Sequence, residues 1–247
     1  HIDIDAAEIN KNIKTSQHII GDVKEVLKRI NTRLKPRKNE EWACKIKKYK
    51  KEHPLVYTKG KKLKPQYVIQ KVYELLKDKA IVTTEVGQHQ MWAAQYYSWK
   101  KPRTFISSGG LGTMGFGLGA AIGAQIGNPT KRIVNIAGDG SFRMNCNEIA
   151  TAVEYDLPIV MVLINNSALG MVRQWQNLFY DSRFSHTHLD HKTDFCKLAQ
   201  AYGAAAIRVE KTEDLEKALK QAIALKRTVL VECVIEREEN VFPIVPA

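Results

Sequence analysis

The feature that most limits what this chain can fold into is a pair of apolar runs, each ending in a polar loop. Ile133–Ile136 leads into Gly138-Asp139-Gly140-Ser141, and the almost wholly apolar Ile159–Ile164 leads into Asn165-Asn166. Short, β-branched runs of this kind read as strands buried on both faces, and the helical spacing over 147–155 reads as the crossover between them. A strand, a crossover helix and a second strand make a parallel pair. Both polar loops then leave at carboxyl ends of strands, the edge at which open α/β sheets bind ligands.

The rest of the chain extends the same alternation. Helical spacing occurs at Ala7–Ile13 and Asp22–Ile30, and from Pro65 through the stripe Val68, Ile69, Val72, Leu75 and Leu76. Ile81–Thr84 reads as a strand, followed by a helix from near Gln90 and a glycine-rich passage over 109–127. Phe195–Tyr202 and Asp214–Leu225 read as helices, and Ala206–Val209 and Val229–Ile235 as strands. The expected fold class is α/β, a doubly wound parallel sheet with helices on both faces. No apolar run reaches the roughly 18 residues of a membrane span, so no membrane partner is expected. Cys44, Cys146, Cys196 and Cys233 lie far apart without CxxC pairing, which argues against a zinc knuckle or a disulfide framework and fits a reducing compartment. The alternation from Ile2 to Ile4 reads as a strand already under way, as if the 247 residues were the back part of a longer polypeptide.

Charge marks the organisation. The net charge is +12, and the stretch from Lys24 to Lys64, with 16 Lys/Arg against 4 Asp/Glu, carries all of it. The remainder is balanced. Trp42, Tyr49 and Tyr57 lie in this stretch and could stack on bases, but a solvated connector or exposed helix is the expected reading, and no nucleic acid partner follows.

Chemistry concentrates in the two polar loops. Asp139 and Asn166 offer hard oxygen ligands suited to Mg²⁺, and the glycines around Asp139 let backbone approach an anion. The spacing GDG, 24 residues, NN on successive strands resembles the motif of enzymes that use thiamine diphosphate. The segments TEVGQHQMWAAQYY (84–97), SGGLGTMGFGLGAAIGAQIG (108–127) and NNSALGMVRQWQNLFYDSRFSHT (165–187) resemble the large catalytic subunit of acetohydroxyacid (acetolactate) synthases, and the likeness covers essentially the whole chain.

The resemblance implies a thiamine diphosphate-binding fold and a set of roles. Asp139, Asn166 and the main-chain carbonyl of Ala168 would ligate Mg²⁺. Gly138, Gly140 and Ser141 would meet the cofactor's diphosphate, and Val86, Gly87, Gln88 and His89 would meet it from the other side. Met114 would wedge beneath the cofactor, and Met171 would lie against it. Met171, Val172 and Trp175 would form the pocket for the second keto acid, where fit to one methylene gives about 1–3 kcal/mol of preference. The implied reaction is decarboxylation of pyruvate and carboligation to a second pyruvate or to 2-ketobutyrate, in branched-chain amino acid biosynthesis. The activating Glu lies on the pyrimidine domain of a neighbouring subunit, so no catalytic residue is assigned here and the chain is expected to be inactive alone. The implied organisation places residues 1–30 in the end of a central FAD-binding domain, 31–64 in a basic connector and 65–247 in the thiamine diphosphate/Mg-binding domain. FAD belongs to the full-length enzyme and is not expected to be held by this chain. The implied partners are the second subunit of a homodimer or homotetramer and a small regulatory subunit, in the cytoplasm or an organelle's stroma or matrix.

Two positions depart from the resembled pattern: Gly119 stands where Pro is usual and Glu85 where Asp is usual. Gly115, Gly119, Gly123 and Gly127 recur every four residues. They suggest a closely packed small-residue face whose first turns, lacking Pro, are looser. Gly110-x-Gly112-x-x-Gly115 matches a dinucleotide fingerprint, but no acidic residue ends a second strand at the required distance. His186, His188 and His191 read as a loop beside the site rather than a metal cluster. Trp92, Trp99 and the Tyr96-Tyr97 pair read as core or interface. Two other functions fit parts of the sequence: the diphosphate-binding subunit of a two-chain 2-oxo acid decarboxylase, and a non-catalytic basic binding module.

Overall fold

The computed structural model describes residues 1–58, 60, 62–189 and 192–244. The chain divides into two compact units, residues 1–54 and 55–247, and the division falls inside the basic stretch.

The first unit pairs β1 (Ile2–Asp3) in parallel with β2 (Ile19–Ile20). Ala7–Ile13 is not the expected helix. Asp5 caps a single 3₁₀ turn, Ala6–Glu8, by accepting a hydrogen bond from the Ala7 N–H, and the helical spacing beyond it has no core to bury against. Asp22 caps α1 (Val23–Arg33) by accepting from the Lys24 and Glu25 N–H groups. A second helix, α2 (Glu40–Glu52), occupies much of the basic stretch. Neither helix buries a residue, and the lysines of α2 sit on its exposed surface, with Lys45 placed 5.7 Å from the Trp42 ring and 5.8 Å from that of Tyr49.

The second unit is built on six parallel strands in the order β4-β3-β5-β6-β8-β7. They are β3 (Ala80–Thr84), β4 (Phe105–Ser107), β5 (Arg132–Gly138), β6 (Ile159–Asn165), β7 (Ala205–Val209) and β8 (Val229–Val234). The helices are α3 (Pro65–Leu76), α4 (Gln88–Tyr96), α5 (Phe116–Gly127), the single turn α6 (Asp139–Phe142), α7 (Ile149–Glu154), α8 (Gly170–Phe179), α9 (Phe195–Ala201) and α10 (Leu215–Ala224). Period-two alternation sorts the strand residues between two cores. Val160, Val162 and Ile164 join the core under α3, α4 and α10, while Ile159, Met161 and Leu163 join the one under α5, α7 and α9. Both faces are covered, as the fold class requires. After β3 the chain steps outward to β4 and then returns to the other side of β3 as β5, so the loops after β3 and β5 diverge and leave a crevice.

The four-residue glycine row of α5 is not a packed face. A Cβ at Gly119, Gly123 or Gly127 would meet nothing, because α5 rests on the sheet through Gly117, Leu118, Ala121 and Ile122. Gly117 is the position of close approach: a Cβ there would lie 2.6 Å from the Glu85 nitrogen and from Asn135 Oδ1.

Candidate functional site

A cavity of about 290 Å³ opens at the carboxyl edge of β3, β5 and β6. Its wall brings together Val86, Gly87, Gln88, His89, Met114, Gly138, Asp139, Gly140, Ser141, Asn166, Ala168, Met171 and Val172. These come from four separate segments of the chain. Trp175 does not line this cavity. It stacks on Phe179, ring centroids 5.2 Å apart, in a wider depression that shares Val172 with the first. Val172 lines both depressions, and Trp175, together with Gln176, Tyr180 and Arg183, lines the second.

The two candidate ligand residues are buried, Asp139 at 1% exposure and Asn166 at 8%, and the Asn166 N–H donates to Asp139 Oδ1 at 3.4 Å. Around Asp139 the backbone packs too closely for side chains. A Cβ on Gly138 would lie 2.5 Å from His89 Nδ1, and one on Gly140 would lie 2.8 Å from Leu169 Cδ2. His89 is fully enclosed. Burial pushes its imidazole down to about 3, against a hydrogen bond to the Glu85 main chain, and its Nε2 has no partner among the described residues.

Beyond β6 the loop is held by side chains. Asn165 Nδ2 donates to Glu232 Oε1 at 2.8 Å, and Asn165 Oδ1 accepts from the Ser167 N–H at 3.0 Å. Glu232 Oε2 accepts from Arg208 Nε at 2.8 Å, and Arg208 Nη2 reaches Asp194 Oδ1 at 2.8 Å. Asp194, Cys196 and Glu232 place ligand-type atoms within 4.8 Å of one another, but the Arg208 guanidinium already joins the two carboxylates. Burial and the nearby Glu232 carboxylate push the Cys196 thiol up to about 11. Neither His186 nor His188 joins a ligand cluster among the described residues, and His191 lies outside them.

One of the two departures noted in sequence, Glu85, acts on the helix that carries the other, Gly119. Glu85 is 1% exposed, and its Oε1 accepts from the Leu118 N–H at 2.9 Å, in the first turn of α5. Its Oε2 accepts from Ser141 Oγ at 3.0 Å, while Ser141 Oγ itself accepts from the Gly115 N–H at 3.1 Å. The first turn, expected to be loose without Pro, is pinned by this carboxylate. Burial raises the Glu85 pKa, opposed by those hydrogen bonds.

The pattern of family-wide residues matches the thiamine pyrophosphate enzymes' C-terminal TPP-binding domain over residues 85–233, more than half the chain. The chain belongs to this family. Its cavity lies inside the matched span. The chain is 44% identical over 252 residues to the mitochondrial acetolactate synthase catalytic subunit of Saccharomyces cerevisiae, covering 99% of this chain and 36% of that protein. It is 44% identical to the mitochondrial acetolactate synthase of Schizosaccharomyces pombe, covering 100% of this chain and 38% of that protein. With the probable acetolactate synthase large subunit of Methanocaldococcus jannaschii it shares 43% identity, covering 100% of this chain and 43% of the relative. The chain thus spans well under half the length of these relatives. At the cavity edge the Asn166 N–H meets the Asp139 carboxylate, the flanking glycines admit no Cβ, and His89 Nε2 is buried without a partner among the described residues, a donor set whose chemistry fits a divalent cation and a diphosphate. Among the described residues no helix is long and apolar enough to cross a membrane.

Proposed function

We propose that this chain is the Mg-diphosphate half of an acetolactate synthase active site. In this reading the full enzyme decarboxylates pyruvate and joins the two-carbon unit to a second pyruvate or to 2-ketobutyrate. The observation that carries it is the meeting of Asp139 and Asn166, 27 positions apart, at a buried edge where Gly138 and Gly140 leave no room for side chains. Bound thiamine diphosphate supplies the carbon that adds to the keto acid; the protein's share is orientation. Asp139, Asn166 and the Ala168 carbonyl hold Mg²⁺, Gly138 to Ser141 and Val86 to His89 receive the diphosphate, and Met114 and Met171 set the cofactor's seat. Val172 borders both depressions and, with Trp175, limits the second keto acid's alkyl tail. Residues 1–30 are read as the end of a central FAD-binding domain and 31–64 as its basic connector. A neighbouring subunit supplies the pyrimidine domain, and a small regulatory subunit joins the assembly, in the cytoplasm or an organelle's stroma or matrix.

Calorimetric titration with thiamine diphosphate tests the site. Binding should require Mg²⁺ and should be lost in Asp139→Ala; affinity indifferent to Mg²⁺, or unchanged in the variant, would refute the assignment. Acetolactate formed from pyruvate by this chain alone would overturn its reading as half a site.

A further inference from the structure

Two amide side chains of the cavity wall, Gln88 and Asn166, and the buried Gln174 behind them form one chain of hydrogen bonds, and its first link is main chain. The Val241 N–H donates to Gln174 Oε1 at 2.8 Å, and the Val241 carbonyl accepts from Gln174 Nε2 at 2.9 Å. A backbone N–H only donates and a carbonyl only accepts, so the orientation of the Gln174 amide is fixed. Gln174 Oε1 also accepts from Gln88 Nε2 at 2.9 Å, and the other proton of that nitrogen goes to the Glu239 carbonyl at 3.0 Å. Gln88 therefore turns its Oε1 toward Asn166, where it accepts from Asn166 Nδ2 at 3.1 Å. The Asn166 oxygen is left on the other side of its amide, where it accepts the Ala168 N–H at 3.1 Å and keeps a second lone pair. Gln174 is 1% exposed, Gln88 4% and Val241 0%, so water does not compete for these bonds.

We infer that Gln174 is a positioning residue: acting through Gln88, it orients the Asn166 amide so that its oxygen serves as the metal ligand. Gln174 carries no part of the proposed ligand set. The inference rests on the reading of Asn166 as a ligand of the diphosphate-bound Mg²⁺. Polarity passes one way along the chain, from a main chain that cannot be reversed to an amide whose two ends differ only in which can hold a cation.

A mutant cycle on Mg²⁺ affinity, measured by calorimetry in the presence of thiamine diphosphate, tests this. Gln174→Met should weaken Mg²⁺ binding by about 3–10-fold, the worth of one buried hydrogen bond. In an Asn166→Asp background the same change should cost nothing or restore affinity. The two oxygens of a carboxylate are equivalent and need no orienting, and Gln88, once released, can turn its NH₂ toward them. Packing alone would give Gln174→Met the same effect in both backgrounds. Gln88→Met interrupts the chain one link nearer the metal and should obey the same cycle, which keeps the test open if Gln174→Met does not fold. If the unsubstituted chain shows no Mg-dependent binding, the functional reading falls and this inference with it. If it binds but the loss is absent, or equal in the two backgrounds, only the role of Gln174 is overturned.

Discussion

The loops that leave β5 and β6 bring Asp139 and Asn166, the proposed metal ligands, together, yet they are held in different ways. The first, Gly138 to Ser141, is packed tightly at its glycines, where the buried His89 ring fills the space that a Cβ on Gly138 would take, and is tied at its end by Ser141 Oγ to Glu85 and the Gly115 N–H. The second, Asn165 to Leu169, keeps its shape through side chains, with Asn165 tied to Glu232 and Asn166 to Gln88. Ser167 even adopts φ 52°, a left-handed conformation held by the Asn165 amide oxygen. Close packing at glycine dominates the first loop, and directional side-chain bonds dominate the second. A perturbation that acts on buried rings should strike the first, and one that alters backbone preference should reach only the second.

Acid should break this symmetry most strongly. His89 is held neutral, its pKa pushed from 6.5 down to about 3 by burial. The unfolded chain takes up this proton near pH 6.5 while the folded chain resists, so the contribution is present above pH 6.5 and is lost as pH falls toward 3. By pH 4 the loss is about 3 kcal/mol at 1.36 kcal/mol per unit. Urea unfolding between pH 7 and 4 should show the ligand-free chain losing stability faster than its His89→Gln variant. Parallel pH profiles would mean that the ring is not held neutral by the packing around Gly138.

Gly138→Ala attacks the same contact at constant pH. One methyl group must enter where His89 Nδ1 lies 2.5 Å away, so the buried ring must shift to admit it. Overpacking of this kind costs about 1–3 kcal/mol, and Mg-dependent cofactor binding should fall with it. A variant with wild-type melting and affinity would show that the loop has room to spare.

How much of this was legible in sequence follows from the same physics. The β6 strand and both loops were readable because local pattern determines them: an unbroken apolar run has to be buried, and glycine beside aspartate at a strand end has few other uses. The three-residue edge strand Phe105–Ser107 carried too little pattern to be seen. Ala7–Ile13 showed helical spacing without a core to bury it. The glycine row of α5 suggested packing, but spacing cannot say which face of a helix meets the sheet. The supports of the site were the least legible. Gln88 and Gln174 stand 86 positions apart, and Asn165 and Glu232 are separated by 67. A glutamine or glutamate in isolation reads as surface, and only the fold shows it buried with all its bonds directed.

Ser167→Gly supplies the mildest contrast, and it completes the comparison. The substitution removes the left-handed penalty of a residue with a Cβ, about 1–2 kcal/mol. It also gives the unfolded chain more freedom, worth about 0.5–1 kcal/mol in the other direction. The remaining loss is a hydroxyl contact to Asn165 Oδ1 that is long at 3.4 Å, while the main-chain bond at 3.0 Å stays. The gains and losses nearly cancel, so stability should change by less than about 1 kcal/mol and Mg²⁺ affinity should not move. Gly138→Ala and Ser167→Gly each alter only a few atoms on loops that meet at the same site, yet the first should disable it and the second should leave it intact. If Ser167→Gly instead lost Mg-dependent binding, the side-chain bonds of Asn165 and Asn166 would not suffice to hold the second loop, and its Ser167 backbone conformation would be a determinant equal to the bare backbone of the first.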